Sequence, residues 1–209
     1  MTIKQLRVYS KKNYEELKKV TCGLLLRQVH VKSESGDLAL CCTTWMPYNV
    51  GNINETSILE YLRSADHRKI INTSLDGTFS YCDKDICPEI QRYFKNGTSD
   101  SLVPVETAQQ ILDKKCVFVM FTYDRSCNLQ CPSCRNELLV HKTYSDEFNK
   151  THQAVVNSID ELLSNGYKVV LCITGSGDPF VSRAYRDVLN NYKHEGDYSF
   201  FINTNGVLS

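Results

Sequence analysis

The second half of the chain alternates apolar runs with amphipathic segments, and this alternation restricts the fold more than any other feature. Buried strands are predicted from Val117 to Thr122 and from Lys168 to Thr174, and a third strand from Ser199 to Thr204. Helices are predicted between them, from Asp146 to Ser164 and from about Ser182 to Asn190. This order is typical of right-handed parallel strand–helix units, so the sequence predicts an α/β fold here.

The first half has no such alternation and predicts a small α+β domain. Its predicted elements are a helix from Asn13 to Val20, a hairpin of Leu25 to Lys32 and Leu38 to Thr43, and helices from Thr56 to Ser64 and from Asp66 to Asn72. Polar turn residues at 96–101 separate the two halves. We therefore expect domains at 1–98 and 116–209, joined by a linker with a connecting helix at 99–115.

The overall composition excludes several classes of function. The 209 residues carry 24 basic and 24 acidic side chains, which gives no sign of a nucleic-acid or acidic-lipid surface. The N-terminus lacks the apolar core of a signal peptide, and no apolar run is long enough to span a membrane, so a cytosolic protein is expected. In that compartment, clustered thiols are more often metal ligands or catalysts than disulfides, and this chain has 10 cysteines.

Three of the cysteines, Cys127, Cys131 and Cys134, follow the first strand of the second half with the spacing CxxxCxxC. Three thiolates leave one iron of a four-iron cluster without a protein ligand, and that iron can bind a substrate or cofactor. Polar segments at 175–179 and 204–206 follow the next two strands. Because ligands gather at the carboxyl ends of parallel strands, we expect all three segments at one edge of the sheet.

From about Cys116 to Ser209 the chain resembles the radical S-adenosylmethionine (SAM) enzymes. Cys127, Cys131 and Cys134 match the ligands of that family's 4Fe–4S cluster, whose open iron binds SAM. Ser176-Gly177-Asp178-Pro179 is similar to the Gly-Gly-Glu-Pro motif that holds the amino group of SAM. The residues that the resemblance assigns to SAM are Ser176, Gly177, Asp178, Pro179, Thr204 and Asn205.

Two positions depart from the family's pattern. Ser133 stands where an aromatic residue usually precedes the third cysteine and packs near adenine, and Asp178 stands where the family usually has Glu. By the resemblance, a backbone carbonyl near Gly177 and the Asp178 carboxylate accept the N–H groups of SAM.

The resemblance also implies a reaction and its partners. An electron from a reductant such as flavodoxin or ferredoxin cleaves SAM to methionine and a 5′-deoxyadenosyl radical, which takes hydrogen from a small-molecule, peptide, protein or sugar substrate. The implied fold is a partial (β/α) radical SAM barrel of about three strand–helix units, where the family has six. A fragment, a truncated reading frame and a domain completed by a second chain all stay open. No catalytic side chain is assigned.

The first half has a cysteine pattern of its own. Cys22, Gly36 and Cys41 are separated by thirteen and four residues. This spacing resembles the opening of the SPASM and twitch domains, which bind auxiliary iron–sulfur clusters in radical SAM enzymes. By that resemblance, Cys82 and Cys87 complete the four ligands of a second, auxiliary 4Fe–4S cluster. This cluster would stabilise a small, loop-rich domain by joining its chain segments.

Three alternatives stay open for the cysteines. Adjacent residues of a strand point to opposite faces, so only one of Cys41 and Cys42 is expected to be a ligand, and the glycine spacing favours Cys41. The four thiols of the first half also suit zinc, which makes a zinc- or iron–sulfur-binding module without catalysis the second hypothesis. A one-electron carrier with fully ligated clusters is the third.

Overall fold

The structure is a computed structural model that describes residues 14–173 and 177–207. Within these residues the strands are β1 (Val20–Cys22), β2 (Gln28–Val31), β3 (Asp37–Ala39), β4 (Gly51–Asn52), β5 (Leu102–Pro104), β6 (Cys116–Phe121), β7 (Lys168–Ile173) and β8 (Tyr198–Ile202). The α-helices are α1 (Ile58–Arg63), α2 (Ala65–Leu75), α3 (Pro88–Asn96), α4 (Ala108–Asp113), α5 (Asp146–Ser164) and α6 (Arg183–Asn191). Two 3₁₀ helices cover Tyr14–Lys19 and Val105–Thr107.

A mixed six-stranded sheet with the order β4-β3-β2-β6-β7-β8 forms the centre of the molecule. Each neighbouring pair from β2 to β8 is parallel, whereas β3 and β4 are antiparallel to their neighbours. The predicted α/β class and the parallel strands of the second half are therefore confirmed. β1 and β5 form a separate antiparallel pair.

The two faces of the sheet differ in burial. Along β6, Val117, Val119 and Phe121 are buried, while the alternate residues are only half-buried. The buried set packs in one core with Val155 and Ile159 of α5. Each such side chain contributes about 1.5–3 kcal/mol through removal of apolar surface from water. The helices thus hold one face of the sheet and leave the other face more open.

Helix α5 has the bounds that the sequence predicts. Ser145 caps its N-terminus by accepting the Phe148 N–H at 3.1 Å, and Asp146 and Glu147 lie in the first turn, where the helix dipole favours negative charge. Gly166 follows the helix with a φ of 74°, the left-handed conformation that favours glycine. Capping at both ends explains why this helix could be predicted without tertiary information.

The hairpin of the first half differs most from its prediction. It is expected within a separate small domain, but β2 pairs in parallel with β6, from Gln28 beside Phe118 to Val31 beside Phe121. The hairpin therefore extends the sheet of the second half, because both halves bury their apolar strand residues in the same core. The division into domains at 1–98 and 116–209 stays a prediction. The six-stranded sheet contains strands from both ranges.

Several predicted elements are also shorter or of another type. A turn precedes β2, in which the Gln28 N–H donates to the Leu24 carbonyl at 2.9 Å, and β3 ends at Ala39 rather than Thr43. The first helix is a 3₁₀ helix that begins at Tyr14; Asn13 lies outside the described residues, as does Thr174 at the end of the second predicted strand. Helix α3 and strand β5 have no counterpart in the predictions.

Strand β8 lies at one end of the sheet order. Its side chains Phe201 and Ile202 are 58% and 39% exposed, and Val207 beyond the strand is exposed as well. An apolar edge of this kind favours pairing with a further strand. None of the helices in the described ranges combines the length and apolar character needed to cross a bilayer.

Candidate metal centres at the two ends of the sheet

Four cysteines of the first half line a single cavity of about 150 Å³, and they are Cys22, Cys41, Cys82 and Cys87. The remaining wall is largely apolar and includes Leu25, Phe79 and Leu102. These are the four thiols that the sequence pattern selects. The structure therefore brings together residues that lie up to 65 positions apart in the chain.

Strand β1 and the loop after β3 position the first two thiols. The backbone N–H of Cys22 donates to Ser74 Oγ of α2 at 2.8 Å, and Cys22 pairs with Leu102 of β5. Cys41 follows β3 by two residues. Because β3 runs antiparallel to β2, it returns the chain to the amino ends of the parallel strands, and the cavity lies at that end.

The loop between α2 and α3 supplies the other two thiols. The N–H of Cys82 donates to the Phe79 carbonyl at 2.9 Å, and the N–H of Cys87 donates to the Asp83 carbonyl at the same distance. Cys87 is the N-terminal cap residue of α3, with Pro88 in the first helical position. Two successive turns thus direct both cysteines toward the cavity.

Burial controls the protonation of these thiols. It raises the pKa of Cys22 to about 12, and it also raises the pKa values of Cys41, Cys82 and Cys87. The neighbouring thiols add to the increase, since a second negative charge in the cavity is unfavourable. Without a metal the four side chains are therefore neutral thiols. Metal binding requires thiolates, so it would release protons from this cavity.

Cys42 is placed differently from its neighbour. It lines a second cavity, together with Cys41, His30 and Thr122, but does not line the four-cysteine cavity, and its Sγ lies 3.5 Å from Thr44 Oγ1. Both cysteines lie beyond the end of β3, so the alternation of a strand does not itself decide between them. Of the two, only Cys41 lines the four-cysteine cavity, and its assignment as the ligand stays a prediction.

The four thiols share a cavity without forming a closed set of metal ligands. Across residues 14–173 and 177–207, no group of three His, Cys, Asp or Glu side chains is arranged to hold a metal ion. The shared lining of one cavity is therefore the geometric link between these cysteines.

The three cysteines after β6 form a second group at the opposite, carboxyl end of the parallel strands. Cys127 is buried and its N–H donates to the Leu139 carbonyl at 2.7 Å, which closes the base of the loop. Cys131 and Cys134 are exposed, and the Cys134 N–H donates to the Cys131 carbonyl at 2.9 Å. A cavity of about 500 Å³ adjoins this turn, and Cys134 is the member of the trio that lines it.

The loops after β7 and β8 reach the cysteine loop, as the sequence predicts. Asp178 donates its N–H to the Ser126 carbonyl at 2.7 Å. Its carboxylate accepts bonds from Thr204 Oγ1 at 2.7 Å and from the Asn205 N–H at 2.8 Å. Asn205 Nδ2 in turn lies 3.6 Å from Cys127 Sγ. All three segments therefore meet at one edge of the sheet.

Asp178 has a structural role in this arrangement. Its side chain is 2% exposed and also accepts the Phe180 N–H at 2.9 Å, while Pro179 is buried beside it. Ser182, not Asp178, is the N-terminal cap of α6. The assignment of this carboxylate to the amino group of SAM stays a prediction. Ser176 lies outside the described residues.

Gly177 is required by the close approach of two loops. A Cβ atom at this position would lie 2.4 Å from the Ser126 carbonyl oxygen and 2.9 Å from that of Asp124. Both distances are shorter than real Cβ contacts allow, and both neighbours are backbone atoms that cannot rotate away. The close approach of the two loops therefore explains, independently of any ligand, why glycine occupies position 177.

Asp124 is a functional candidate that the sequence reasoning missed. This fully buried carboxylate follows β6 and accepts bonds from Tyr144 Oη and Ser182 Oγ, both at 2.6 Å, and from the Ser126 N–H at 2.8 Å. It thereby fixes the start of the cysteine loop to the N-terminus of α6. An acidic residue three positions before Cys127 was the available signal, but its partners are distant in sequence.

Comparison with known proteins gives one match. Residues 22–88 match the family model of SPASM, described as an iron–sulfur cluster-binding domain. The matched range begins at Cys22 and ends one residue after Cys87, so it contains all four cavity cysteines. No curated protein and no solved structure matches the chain.

Proposed function

We propose that this chain is a radical SAM enzyme, or part of one, that binds two 4Fe–4S clusters. Iron–sulfur binding by the first half is indicated by the SPASM match. In the proposal Cys22, Cys41, Cys82 and Cys87 are the ligands of that auxiliary cluster. One observation carries this assignment: the four cysteines within the matched range line one largely apolar cavity.

The second cluster is assigned to Cys127, Cys131 and Cys134. Support comes from the position of the trio at the carboxyl ends of the parallel strands and from the cavity of about 500 Å³ beside it. A three-thiolate cluster with SAM on its open iron would supply the 5′-deoxyadenosyl radical that removes hydrogen from a peptide, protein or sugar. The substrate, the reductant and a chain that completes the barrel beside β8 belong to the proposal.

The residues around the trio have defined tasks in this proposal. Asp124 fixes the start of the cysteine loop, and Asp178 joins the loops that follow β6, β7 and β8. Asn205 Nδ2 is a hydrogen-bond donor to Cys127 Sγ, and such donors stabilise a thiolate ligand. The exposed positions of Cys131 and Cys134 leave the outer side of the loop accessible to a cofactor.

Metal analysis of anaerobically purified protein tests the proposal. We expect about eight irons and eight sulfides per chain after reconstitution, as two four-iron clusters require. Cys82→Ala should remove half of the iron and leave SAM cleavage by dithionite-reduced protein intact. Cys131→Ala should remove the other half and abolish 5′-deoxyadenosine formation. Cys42→Ala is the matched control and should keep both clusters.

Electron paramagnetic resonance identifies the open iron. In the proposal, addition of SAM changes the spectrum of the reduced Cys82→Ala protein, which retains only the cluster of the trio. An unchanged spectrum would support a fully ligated electron carrier instead. A colourless protein with one zinc per chain would support the binding module without catalysis.

A further inference from the structure

Trp45 makes a polar contact with one of the four cavity cysteines. Its indole Nε1–H donates to Cys41 Sγ at 3.2 Å, and the ring itself lines the four-cysteine cavity. Trp45 is the single tryptophan of the chain. Trp45 is half-buried, and the acceptor of its indole N–H is a sulfur atom proposed to bind iron.

The backbone holds Trp45 in this place from two sides. Its N–H donates to the Cys42 carbonyl at 3.3 Å, in the turn that follows Cys41. Its carbonyl accepts the N–H of Asp83, next to Cys82, at 2.7 Å. Trp45 thus joins two of the chain segments that contribute thiols, and its orientation depends on neither segment alone.

The contact acts on the charge of the sulfur. The Trp45 N–H points its donor hydrogen at Cys41 Sγ from 3.2 Å, and a donor at that distance stabilises negative charge on the sulfur. A hydrogen bond to an ionised acceptor is stronger than one to a neutral acceptor, and a largely apolar cavity strengthens it further. The same bond would favour the reduced state of a cluster bound to Cys41, since reduction adds negative charge.

We propose that Trp45 is a positioning residue of the auxiliary site, which raises the reduction potential of an iron–sulfur cluster there through its N–H bond to Cys41 Sγ. This inference rests on the proposed function of the four cysteines. It assigns to the residue a role beyond packing, because a phenylalanine would fill much of the same space without the donor. The ring also lies close enough to the ligand for its fluorescence to report cluster binding.

The test uses the full chain with Cys131→Ala and Cys134→Ala, two exposed positions, so that only the auxiliary site can hold iron. Trp45→Phe is compared with Tyr48→Phe, a control that removes a hydroxyl from a neighbouring aromatic residue packed against Tyr81. Both proteins should keep four irons. In Trp45→Phe the ratio of reduced to oxidised cluster at the parent midpoint potential should fall about tenfold, equivalent to about 59 mV. Tyr48→Phe should keep the parent potential.

Fluorescence provides a second readout that needs no activity. Tryptophan emission of the parent double variant should fall in proportion to the iron and sulfide taken up, and it should persist when Cys41→Ala prevents loading. Full iron content with an unchanged potential in Trp45→Phe would overturn the inference alone. Absence of iron from the parent double variant would overturn the proposed function of this site, and the inference with it.

Discussion

At the scale of the residue, the absence of a side chain at position 177 keeps two loops in contact. We expect Gly177→Ala to destabilise the fold by about 1–3 kcal/mol, because the new Cβ meets backbone oxygen atoms that cannot move aside. The loop after β7 should shift and the iron of the Cys127 trio should be lost. Thermal unfolding and iron quantitation measure both effects.

Gly51→Ala is the matched control for this substitution. Its Cβ would meet only Leu38 Cδ1, at an ordinary contact distance of 3.9 Å. The unfolding free energy should therefore change by less than about 0.5 kcal/mol, and the iron content should equal that of the parent within the error of the assay. A Gly177→Ala protein that behaves like Gly51→Ala would contradict the steric argument.

His30 on β2 predicts a pH dependence of stability. Burial lowers its pKa from 6.5 to about 4, and the Gln28 Nε2 atom lies 2.6 Å from its Nε2, where a neutral ring accepts the bond. Below pH 6.5 the unfolded state binds the proton more readily than the folded state. The free energy of unfolding should therefore fall between pH 6.5 and about 4, by on the order of 2–3 kcal/mol.

His30→Gln separates this contribution from all others. Glutamine retains an acceptor for Gln28 but does not titrate, so its unfolding free energy should depend less steeply on pH in this window. Denaturant unfolding of both proteins at several pH values makes the comparison. Parallel pH profiles of the two proteins would show that His30 does not contribute.

Local signals determined which site residues could be predicted. Cys22, Cys41, Cys82 and Cys87 share a residue type whose clustering has few explanations, so their convergence on one cavity could be anticipated. Asp124 could not, because its importance depends on Tyr144 and Ser182, which approach it only in the folded chain. The hydrogen bond from Trp45 Nε1 to Cys41 Sγ could not be predicted from the sequence for the same reason.

At the scale of the element, Asp124 connects the end of β6 to the start of α6. Asp124→Asn would replace one acceptor oxygen by a donor, so either the Ser126 N–H or the two hydroxyl groups that share Oδ2 lose their acceptor. We expect a loss of about 1.5–3 kcal/mol in unfolding free energy, the value of a hydrogen bond to a charged group. The iron of the Cys127 trio should decrease while the auxiliary iron remains.

Asp113→Asn is the control for that change. Asp113 is exposed at the end of α4 and accepts one bond, from Gln109 Nε2 at 2.7 Å. Its substitution should leave the unfolding free energy and both iron contents close to those of the parent. Equal losses in the two variants would mean that Asp124 has no special role in holding the loop.

Elements with both ends capped were predicted best. Helix α5 has Ser145 before it and Gly166 after it, whereas the hairpin strands depend on partners that the local sequence does not specify. Helix α3 has Pro88 at its start and Gly97 at its end in the left-handed conformation. The sequence analysis assigns Cys87 to a metal site and residues 96–101 to a turn, and so predicts no helix between them.

At the scale of the whole molecule, β2 shields one edge of β6. The segment 116–209 expressed alone would lack this partner and would expose the strand edge beside Val117, Val119 and Phe121. We expect it to aggregate or to unfold without a cooperative transition, whereas the full chain unfolds cooperatively. Light scattering and calorimetry decide the matter, and a monomeric, cooperative segment would contradict the argument.

The parallel pairing of β2 with β6 also has a consequence for descent and engineering. Residues 22–88 include β2, which pairs with β6 of the second half. This segment therefore cannot be transferred to another protein as an independently folding domain. A recipient would have to offer a vacant strand position of matching direction and register. Substitutions in residues 22–88 and in the strands of the second half are therefore expected to evolve together. Recombination between these two parts is expected to prevent folding.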